Sequence, residues 1–481
     1  MSFRSGRLER EMPEDVAKFI SSLDVDLQIF DEVVLVNAAH LTSLERMGLI
    51  DSETLDRAIK ALRSAHPSTL PMTDYKLEDV HMVIEEYLKS AVPEAGENLA
   101  LGKSRNDAVA AAIRLRLMKY IAELVSEGSS LAEALISKAR DHAETVFPLF
   151  THEQVAAPGT FGFVLTYHAS RILKSLRALK SLYDDVAESP LGAGPVGGTS
   201  VPHDRSALSE LLGFKGPLLN ALEASSSRDF IITYLGALCR LSVALTDLAE
   251  EIVRYVSMQL IEIGDEYCST SSIMPHKRNP VVAEVARTIA AKALGGLTSL
   301  TATLARRFGG YVLDLQESTR HIWPPSAAAL DSMRVMKGLI AGMRVTEEAV
   351  RAVHPIAGIT EFAAHLALNR KMTFRRAHGI AARLSRLFAS GSGISEVIAE
   401  GRALGLDDES LSALSDFLKP EKVVRSYRVL GSSHPDEVRR ACDLLVLEVE
   451  SLRKWAEAEL EAREQVRMKL LGKAKERTHL D

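Results

Sequence analysis

Long stretches of this chain contain no proline and almost no glycine, and they limit the possible folds more than any other feature. Residues 106–147 and 221–262 have no proline and a single glycine each, and residues 281–306 have no proline and one pair of adjacent glycines. Because proline breaks helices and glycine weakens them, these stretches predict long helices. A helix of about 40 residues is about 60 Å long and needs packing partners along its whole length.

The second of these stretches has a heptad pattern. The pattern runs through Ile231, Tyr234, Leu238, Leu241, Leu245, Leu248, Ile252 and Tyr255. Spacings that alternate between three and four residues are typical of the seam of a helical bundle or coiled coil. A second apolar row, through Ile232 and Val243 among others, leaves the helix apolar on more than one side. Copies of the same chain are the obvious partners for such a helix.

The remaining pattern predicts an all-α protein of three helical domains. No alternating strand pattern of any length occurs, and a length of 481 residues suggests roughly three domains. Breaks rich in proline and glycine at 93–104 and 352–358 divide the chain. We therefore predict an N-terminal helical domain at 1–104, a central long-helix bundle at 105–354 and a C-terminal helical domain at 355–481.

Composition excludes several classes of partner. The net charge is −6 and both signs are mixed along the chain, which argues against nucleic acid or an anionic membrane surface as a partner. The three cysteines are far apart and have no metal-binding or redox spacing, which favours the cytoplasm. The first 15 residues contain no apolar signal region, and no later run has eighteen uncharged apolar residues, so we expect neither secretion nor membrane insertion.

Two motifs allow a cofactor interpretation beside a plainer one. "GAGPVG" at 192–197 matches G-x-G-x-x-G, but it follows a helical pattern instead of a strand, so a tight glycine turn is the better interpretation. "LEDVHMVIEEYL" at 77–88 sets His81 and Glu85 four residues apart on a helix, where they could share a metal. Such residues more often form a solvated face or a helix cap, which we favour here.

Two further motifs place polar groups at helix ends. "GKSRND" at 102–107 begins the first long helix, where Ser104 or Asn106 could be the N-cap, and the same segment could bind a carboxylate. "FTHEQVAAPGTFG" at 150–162 places Thr151 and His152 in a non-helical bend between two helices. A lone histidine in a bend more often makes structural hydrogen bonds, so His152 needs a partner before a catalytic role is indicated.

The loop "TSSIMPHKRNP" at 270–280 concentrates reactive side chains in a segment that cannot be regular helix. Asn279 followed by Pro280 predicts a helix start, with asparagine as N-cap and proline in the first helical position. A cap requires neither Ser271 nor Lys277. A hydroxyl, an ammonium and an amide at a helix N-terminus could bind a carboxylate-rich substrate and neutralise charge that grows during its reaction.

Together these stretches resemble the fumarase/aspartase superfamily, whose signature loop reads G-S-S-x-M-P-x-K-x-N; Thr270 replaces its leading glycine. "GKSRND", "FTHEQVAAPGT", "SPLGAGPVGGT", "SSSRDF", "YVLDLQE" and "MTFRRAH" are similar to the corresponding stretches of the argininosuccinate lyase family. The resemblance implies a homotetramer with a twenty-helix core and active sites assembled from three subunits. It also implies reversible anti elimination of argininosuccinate to arginine and fumarate, with no metal and no organic cofactor.

The resemblance also implies roles for individual residues. Ser271 matches the base that removes the Cβ proton, and Lys277 with Asn279 would hold the resulting aci-carboxylate. His152 matches the histidine that helps to protonate the leaving nitrogen, and Glu284 matches its carboxylate partner. The matching substrate-binding positions are Ser22, His81, Asn106, Thr151, Asn279, Tyr311 and Gln316, with Arg320 as a candidate substitute for a family lysine.

The chain departs from the family pattern at several of its substrate contacts. Thr319 stands where the family usually has that lysine, Ala100-Leu101 replaces a usual His-Thr pair, and Val312 replaces an asparagine. These changes affect binding of the substrate and leave the groups that carry out elimination in place.

Two other interpretations stay open at the level of sequence. Adenylosuccinate lyases commonly carry His276 and Arg278 in the signature loop, whereas the "GKSRND", "SPLGAG" and "DLQE" stretches favour argininosuccinate lyase. Some members of the family serve as structural lens proteins with little or no activity. Packing alone does not require five residues whose retention argues against a purely structural role: Ser271, Lys277, Asn279, His152 and Glu284.

Overall fold

The computed structural model describes residues 10–305 and 308–472, and this part of the chain is mainly α-helical. The N-terminal helices are α1 (Glu14–Ile20), α2 (Leu23–Asp26), α3 (Phe30–Arg46), α4 (Ser52–Ser64), α5 (Val80–Ala91) and α6 (Pro93–Asn98). The central helices are α7 (Arg105–Asp141), α8 (Phe161–Ser181), α9 (Tyr183–Val186), α10 (Arg205–Leu211), α11 (Ala221–Ser226), α12 (Asp229–Ser257), α13 (Val281–Ala286), α14 (Ile289–Leu304), α15 (Asp314–Glu317), α16 (Trp323–Gly342) and α17 (Glu347–Arg351). The C-terminal helices are α18 (Ile359–Asn369), α19 (Phe374–Ala389), α20 (Ile394–Ala403), α21 (Asp408–Phe417), α22 (Pro420–Ser426) and α23 (Pro435–Leu471).

Short strands and 3₁₀ turns connect these helices. The strands form the pairs β1 (Val146–Thr151) with β2 (Gln154–Thr160), β3 (Glu188–Ser189) with β4 (Gly216–Pro217), β5 (Ile261–Glu262) with β8 (Arg344–Val345), and β6 (Ser269–Thr270) with β7 (Arg278–Asn279). Only β3 and β4 are parallel; the other three pairs are antiparallel. The 3₁₀ turns are Leu27–Ile29, Pro67–Thr69, Tyr75–Leu77, Asp265–Tyr267, Ser318–His321 and Pro355–Gly358.

The long predicted helices exist, but two of them are interrupted. The stretch 221–262 divides at Ser227 into α11 and α12, because the hydroxyl of Ser226 donates to the carbonyl of Leu222 (2.6 Å) and the Asp229 N–H donates to the Ser227 hydroxyl (3.3 Å). Such local side-chain bonds compete with the helical ladder. The stretch 281–306 divides at Thr288, whose hydroxyl donates to the Val285 carbonyl (2.8 Å).

The bend predicted at 150–162 belongs to a β-hairpin. Strands β1 and β2 pair along their length, and the turn between them consists of His152 and Glu153, with φ of 52° and 60°. Positive φ at both central residues matches the right-handed twist of the two strands that the turn joins. The sequence prediction of a non-helical bend was therefore correct in place, but it missed the strands.

The heptad seam of α12 is confirmed as a core element. Its residues from Ile231 to Ile252 are at most 2% exposed, whereas Val243 in the second apolar row is 45% exposed. Of the described helices, α12 alone is long and apolar enough to cross a membrane by length and composition, and half of that apolar window is buried inside the protein. Core helices of globular proteins share these properties, so the burial accounts for the composition.

Two hydrophobic clusters make up most of the described core. The larger one joins α7, α8, α12, α14 and α16, and Val438, Cys442 and Leu452 of α23 belong to it as well. The second lies within residues 359–418, where Phe362, Leu384 and Leu414 are fully buried. Helix α23, although it lies inside the predicted 355–481 domain, thus packs on the central bundle. The predicted boundaries of the three domains remain a prediction.

The helices of the central bundle run antiparallel and give it two distinct ends. Helix α8 folds back on α7, and α12 lies antiparallel to α8, since His168 contacts Glu251 (3.0 Å) while Arg171 contacts Asp247 (2.5 Å). We call the end where α7 begins the N end and the end where α7 stops the C end. Helix α7 has 37 residues, so the two ends are about 55 Å apart.

Candidate active site

Six of the predicted substrate-binding residues lie together at the N end of the bundle: Ser22, His81, Asn106, Tyr311, Gln316 and Arg320. Hydrogen bonds to backbone carbonyls join the segments that carry them. The amide of Gln316 donates to the Ile20 carbonyl (2.9 Å), and the guanidinium of Arg320 donates to the Ser21 carbonyl (3.1 Å). The Ser22 N–H donates to the Glu78 carbonyl (2.9 Å), close to His81 at the start of α5. The structure therefore brings together groups that are almost 300 residues apart in sequence.

The start of α7 positions Asn106. Ser104 is the N-cap, and it forms a capping box with Asp107, which is the cap interpretation offered by the sequence. Asp107 also accepts hydrogen bonds from the backbone N–H groups of Gly192 (3.1 Å) and Gly194 (2.9 Å). Both glycines have positive φ, so the predicted glycine turn is confirmed. Asn106 is left to donate from its amide to the Pro195 carbonyl (3.0 Å).

The segment 77–88 uses its acidic residues for a cap and for ion pairs. Asp79 accepts from the Met82 N–H (2.8 Å) as the N-cap of α5, and its other oxygen pairs with Arg105 (2.9 Å). Glu85 lies 3.6 Å from the ammonium of Lys89. Within the two described ranges, no group of three or more His, Cys, Asp or Glu side chains is arranged to hold a metal ion.

Burial perturbs several titratable groups at this end. Burial, with a smaller contribution from Asp79, raises the pKa of Asp26 to about 7, although Asp26 accepts a hydrogen bond from the Ser22 hydroxyl (2.7 Å). Burial also raises the pKa of Tyr311 to about 12 and lowers the pKa of Lys103 to about 8. A site that excludes water strengthens every charge interaction with a bound substrate.

Arg320, the candidate substitute for the family lysine, follows directly after Thr319. Thr319 is buried, and its hydroxyl donates to the Gln316 carbonyl (2.8 Å). Arg320 forms ion pairs with Asp24 (2.6 Å) and Glu317 (2.8 Å). Its guanidinium therefore ties α15 to the segment that carries Ser22.

The signature loop lies at the C end of the bundle, because it follows α12, whose Tyr255 ring packs on the ring of Phe147 in β1 (5.1 Å between ring centroids). Strands β6 and β7 close the loop as a hairpin. The Ser271 hydroxyl oxygen accepts from the backbone N–H groups of Ile273 (3.3 Å) and Met274 (3.1 Å). Arg278 connects the loop to the segment that precedes it: its guanidinium donates to the Ile263 carbonyl and pairs with Asp265 (2.7 Å). Ser271 is partly buried, and Lys277 is exposed.

The prediction that Asn279 caps a long helix is wrong. Asn279 lies in β7, where it pairs with Ser269, and Pro280 occupies the N-cap position of α13. The cause is the strand pairing, which holds the backbone of Asn279 extended. Helix α13 has only six residues, and the groups that donate to the Ser271 oxygen are backbone N–H groups within the loop.

The remaining predicted residues also lie at the C end, but one chain does not bring them together. Thr151 and His152 are exposed at the tip of the β1–β2 hairpin, and Glu284 is partly buried on α13. No hydrogen bond or ion pair joins His152 to Glu284 within the described part of a single chain. Asn106 lies in the first turn of α7 and His152 lies beyond its last residue, and the helix itself is about 55 Å long.

Sequence reasoning missed several polar groups that line the N end. Asp26 follows Ser22 by four residues, and this helical spacing was an available signal for their contact. Arg228 is fully buried before the long apolar α12, in the "SSSRDF" stretch. Asn37 lies on the apolar helix α3, and nothing in its local sequence indicates that it accepts a hydrogen bond from Lys103.

Comparisons with known proteins agree with this architecture. A family model described as Lyase matches residues 11–295. Among solved structures, an EDDS lyase variant with bound fumarate superposes with a TM-score of 0.83 at 23% identity, covering 96% of this chain and 94% of that one. A class II fumarase from Schistosoma mansoni superposes with a TM-score of 0.70 at 17% identity, covering 82% and 90%. The chain thus has the helical three-domain fold of the fumarase/aspartase superfamily lyases.

Curated relatives narrow this class. An argininosuccinate lyase from Methanococcus maripaludis is 34% identical over 451 residues, which cover 91% of this chain and 93% of that protein. An argininosuccinate lyase from Methanothermobacter thermautotrophicus is 34% identical over 473 residues, which cover 94% of this chain and 100% of that protein. The chain belongs to the argininosuccinate lyase family.

Proposed function

We propose that this protein cleaves argininosuccinate reversibly to arginine and fumarate by anti β-elimination, as a carbon–nitrogen lyase of arginine biosynthesis. The observation that carries the proposal is the 34% identity to an argininosuccinate lyase over its entire length. This identity is accompanied by the residues to which the resemblance assigns the elimination, namely Ser271, Lys277, Asn279, His152 and Glu284.

In the proposed mechanism, Ser271 removes the Cβ proton of the succinyl group. A serine hydroxyl takes up a proton as its alkoxide, which must be stabilised to be populated, and the Ser271 oxygen already accepts two backbone N–H groups, from Ile273 and Met274. Hydrogen bonds to the charged form favour that form. Lys277 and Asn279 then hold the aci-carboxylate, whose negative charge grows as the proton leaves.

The second half of the reaction is breakage of the carbon–nitrogen bond. His152, oriented and charged by Glu284, donates a proton to the leaving guanidino nitrogen. The N end supplies the substrate contacts through Ser22, Asn106 and Gln316, with Tyr311 beside them. No step in this scheme uses a metal or an organic cofactor.

We further propose that the active site is shared between three subunits of a homotetramer. Within one chain Asn106 lies in the first turn of α7 and His152 lies beyond its last residue, with a helix of about 55 Å between them. Antiparallel packing of long helices from different subunits would place the N end of one beside the C end of another. The exposed Val243 on the second apolar row of α12 is available for such packing. We expect the protein to act in the cytoplasm, where its three free cysteines would stay reduced.

Adenylosuccinate lyase is the alternative activity, and His276 and Arg278 are the residues that favour it. In the structure Arg278 pairs with Asp265 (2.7 Å) and donates to the Ile263 carbonyl. Anchoring of the loop therefore accounts for this arginine without a purine substrate, and this weakens the alternative.

A pair of serine variants tests the mechanism. We expect Ser271→Ala to lower the rate of fumarate release from argininosuccinate by about 10²–10⁴-fold, the usual range for loss of a positioned acid or base. Ser272→Ala, on the neighbouring exposed residue, serves as the matched control and should keep near-normal turnover. Equal rates in the two variants would remove Ser271 from the role of base.

A further inference from the structure

The tip of the β1–β2 hairpin carries His152 and contacts one charged side chain of α12. The turn consists of His152 and Glu153, and Thr151 and Gln154 form the pair that closes it. The carboxylate of Glu153 accepts a hydrogen bond from the guanidinium of Arg254 (2.6 Å). Within residues 10–305 and 308–472, no other hydrogen bond or ion pair joins the side chains of these four tip residues to another element.

The turn has a backbone conformation that its two residues do not favour. Both lie in the left-handed region, with φ of 52° at His152 and 60° at Glu153. Turns of this kind usually contain asparagine, aspartate or glycine, because other side chains bring Cβ too close to the following carbonyl oxygen. Such a conformation persists where surrounding contacts hold it. The ion pair between Glu153 and Arg254 is a contact of this kind.

Two neighbouring residues of α12 hold different parts of the hairpin. The ring of Tyr255 stacks on that of Phe150 in β1 (6.2 Å between ring centroids), and its hydroxyl donates to Glu251 (2.8 Å). Arg254 precedes Tyr255 and binds the tip. Aromatic packing therefore fixes the stem of the hairpin, whereas the position of His152 beyond the stem depends on the ion pair.

Arg254 binds two carboxylates with different nitrogens. Its Nη1 donates to Glu153, and its Nε donates to Glu250 (3.0 Å), one turn earlier on α12. The second oxygen of Glu250 accepts from Arg287 (3.1 Å), which follows Glu284 by three residues at the end of α13. A guanidinium suits this arrangement because its five N–H donors form a rigid fork. A row of alternating charges thus connects the hairpin tip with the helix that carries Glu284.

We propose that Arg254 is a positioning residue for the elimination, because it holds the turn that carries His152. The assignment rests on the proposed function, in which His152 protonates the leaving nitrogen. Exposed ion pairs contribute little to stability, so the effect of Arg254 is on the rate and not on folding. Displacement of a reacting group by about 1 Å can lower a rate by about 10²-fold.

The test compares Arg254→Gln with Arg140→Gln. Arg140 provides the matched control, because its side chain is 53% exposed against 50% for Arg254, and it also pairs with a carboxylate of another element, that of Asp443 (2.7 Å). Glu153→Gln removes the partner of Arg254 at the exposed tip, and it carries the test if Arg254→Gln does not fold. Each variant is assayed for kcat and for the KM of argininosuccinate.

We expect Arg254→Gln to lower kcat by about ten-fold and to keep KM within about two-fold, because the acid acts in the transition state. Glu153→Gln should have the same effect, and the double variant should show no further loss, since the two residues act as a pair. Arg254→Lys should recover part of kcat, because an ammonium keeps the charge without the fork. Arg140→Gln should keep both constants.

A second comparison tests whether Arg254 acts through His152. In a chain that carries His152→Ala, addition of Arg254→Gln should not lower the residual rate further, because no acid remains to be positioned. Hydrogen exchange of residues 147–160 measures the hairpin independently of turnover. Exchange at the tip should become faster in Arg254→Gln and stay unchanged in Arg140→Gln.

Three results would overturn the assignment. An unchanged kcat in Arg254→Gln removes Arg254 as a positioning residue. An equal fall of kcat in Arg140→Gln assigns the loss to surface charge in general. A further loss of about ten-fold in the His152→Ala chain shows that Arg254 acts on another group. Failure of the wild-type protein to cleave argininosuccinate refutes the proposed function instead, and hydrogen exchange then still tests whether Arg254 holds the hairpin tip.

Discussion

A mixing experiment with two inactive variants tests whether residues of the N end and of the C end meet across subunits. Asn106→Ala removes a contact at the N end, and His152→Ala removes the proposed acid at the C end. Each variant alone should be nearly inactive, because every site lacks one group. When the two chains assemble in the same tetramer, a site can take its N end from the His152→Ala chain and its C end from the Asn106→Ala chain.

The size of the recovery follows from the geometry. Helix α7, about 55 Å long, separates the two residues within one chain, so under the proposed arrangement each site combines different chains. With equal, random mixing, half of the sites have an intact N end and half have an intact C end, which gives about a quarter of wild-type activity. The chains carry different affinity tags, are co-expressed, and are purified in tandem before fumarate release is measured.

The control for this experiment uses two variants at the same end. Asn106→Ala mixed with Ser22→Ala should recover no activity, because one chain supplies both residues to a site. Absence of recovery in the cross-end mixture, with tetramers of both tags confirmed, would refute the shared site. Recovery in the same-end mixture would show that the N-end cluster is itself divided between chains.

Two further variants test the electrostatics. Glu284→Gln should lower turnover and change the pH–rate profile, because the protonated form of His152 loses its negative partner; an unchanged profile would count against the pair. Burial raises the pKa of Asp26 to about 7, so the folded protein keeps on Asp26 a proton that the unfolded chain releases near pH 4. The folded state therefore loses stability as the pH rises from about 4 to about 7. Asp26→Asn should therefore raise the thermal midpoint more at pH 8 than at pH 5. The gain in the free energy of unfolding should differ between the two pH values by on the order of a few kcal/mol. Equal shifts of the midpoint at both pH values would contradict the account of a buried proton on Asp26.

Much of the fold was predictable because periodicity and helix breakers act locally. The seam of α12 follows from apolar spacing alone, and its burial agrees with that prediction. The glycine turn at 192–197 and the Ser104 cap were likewise readable from residue types with strong local preferences. Such features depend on neighbouring residues and therefore appear in sequence.

Other features depend on contacts between distant segments and have no local signal. The β1–β2 hairpin has prolines at two paired positions, Pro148 and Pro158, which obscure a strand pattern. The pairing of β6 with β7 moved Asn279 from a helix cap into a strand. The return of α23 to the central bundle needs a partner surface on α7 that lies far away in sequence.

The candidate site likewise has parts that the sequence predicts and parts that it does not. Resemblance supplied the residues, but only the structure shows that they form two clusters at opposite ends of one bundle. A cavity bounded by Asn37, Glu85 and Lys103 was not predictable, because it arises from the packing of three helices. A buried amide such as that of Asn37 is not distinguishable in sequence from an ordinary helix residue.

The most direct test of the proposed function is a comparison of two substrates on the purified wild-type protein. Argininosuccinate and adenylosuccinate are incubated separately with the enzyme, and fumarate release is followed to give kcat/KM for each. We predict that argininosuccinate is cleaved and that adenylosuccinate is cleaved at least about 10³-fold less efficiently, since a site shaped for one leaving group leaves polar contacts unpaired with the other. Fumarate released only from adenylosuccinate would contradict the proposed function.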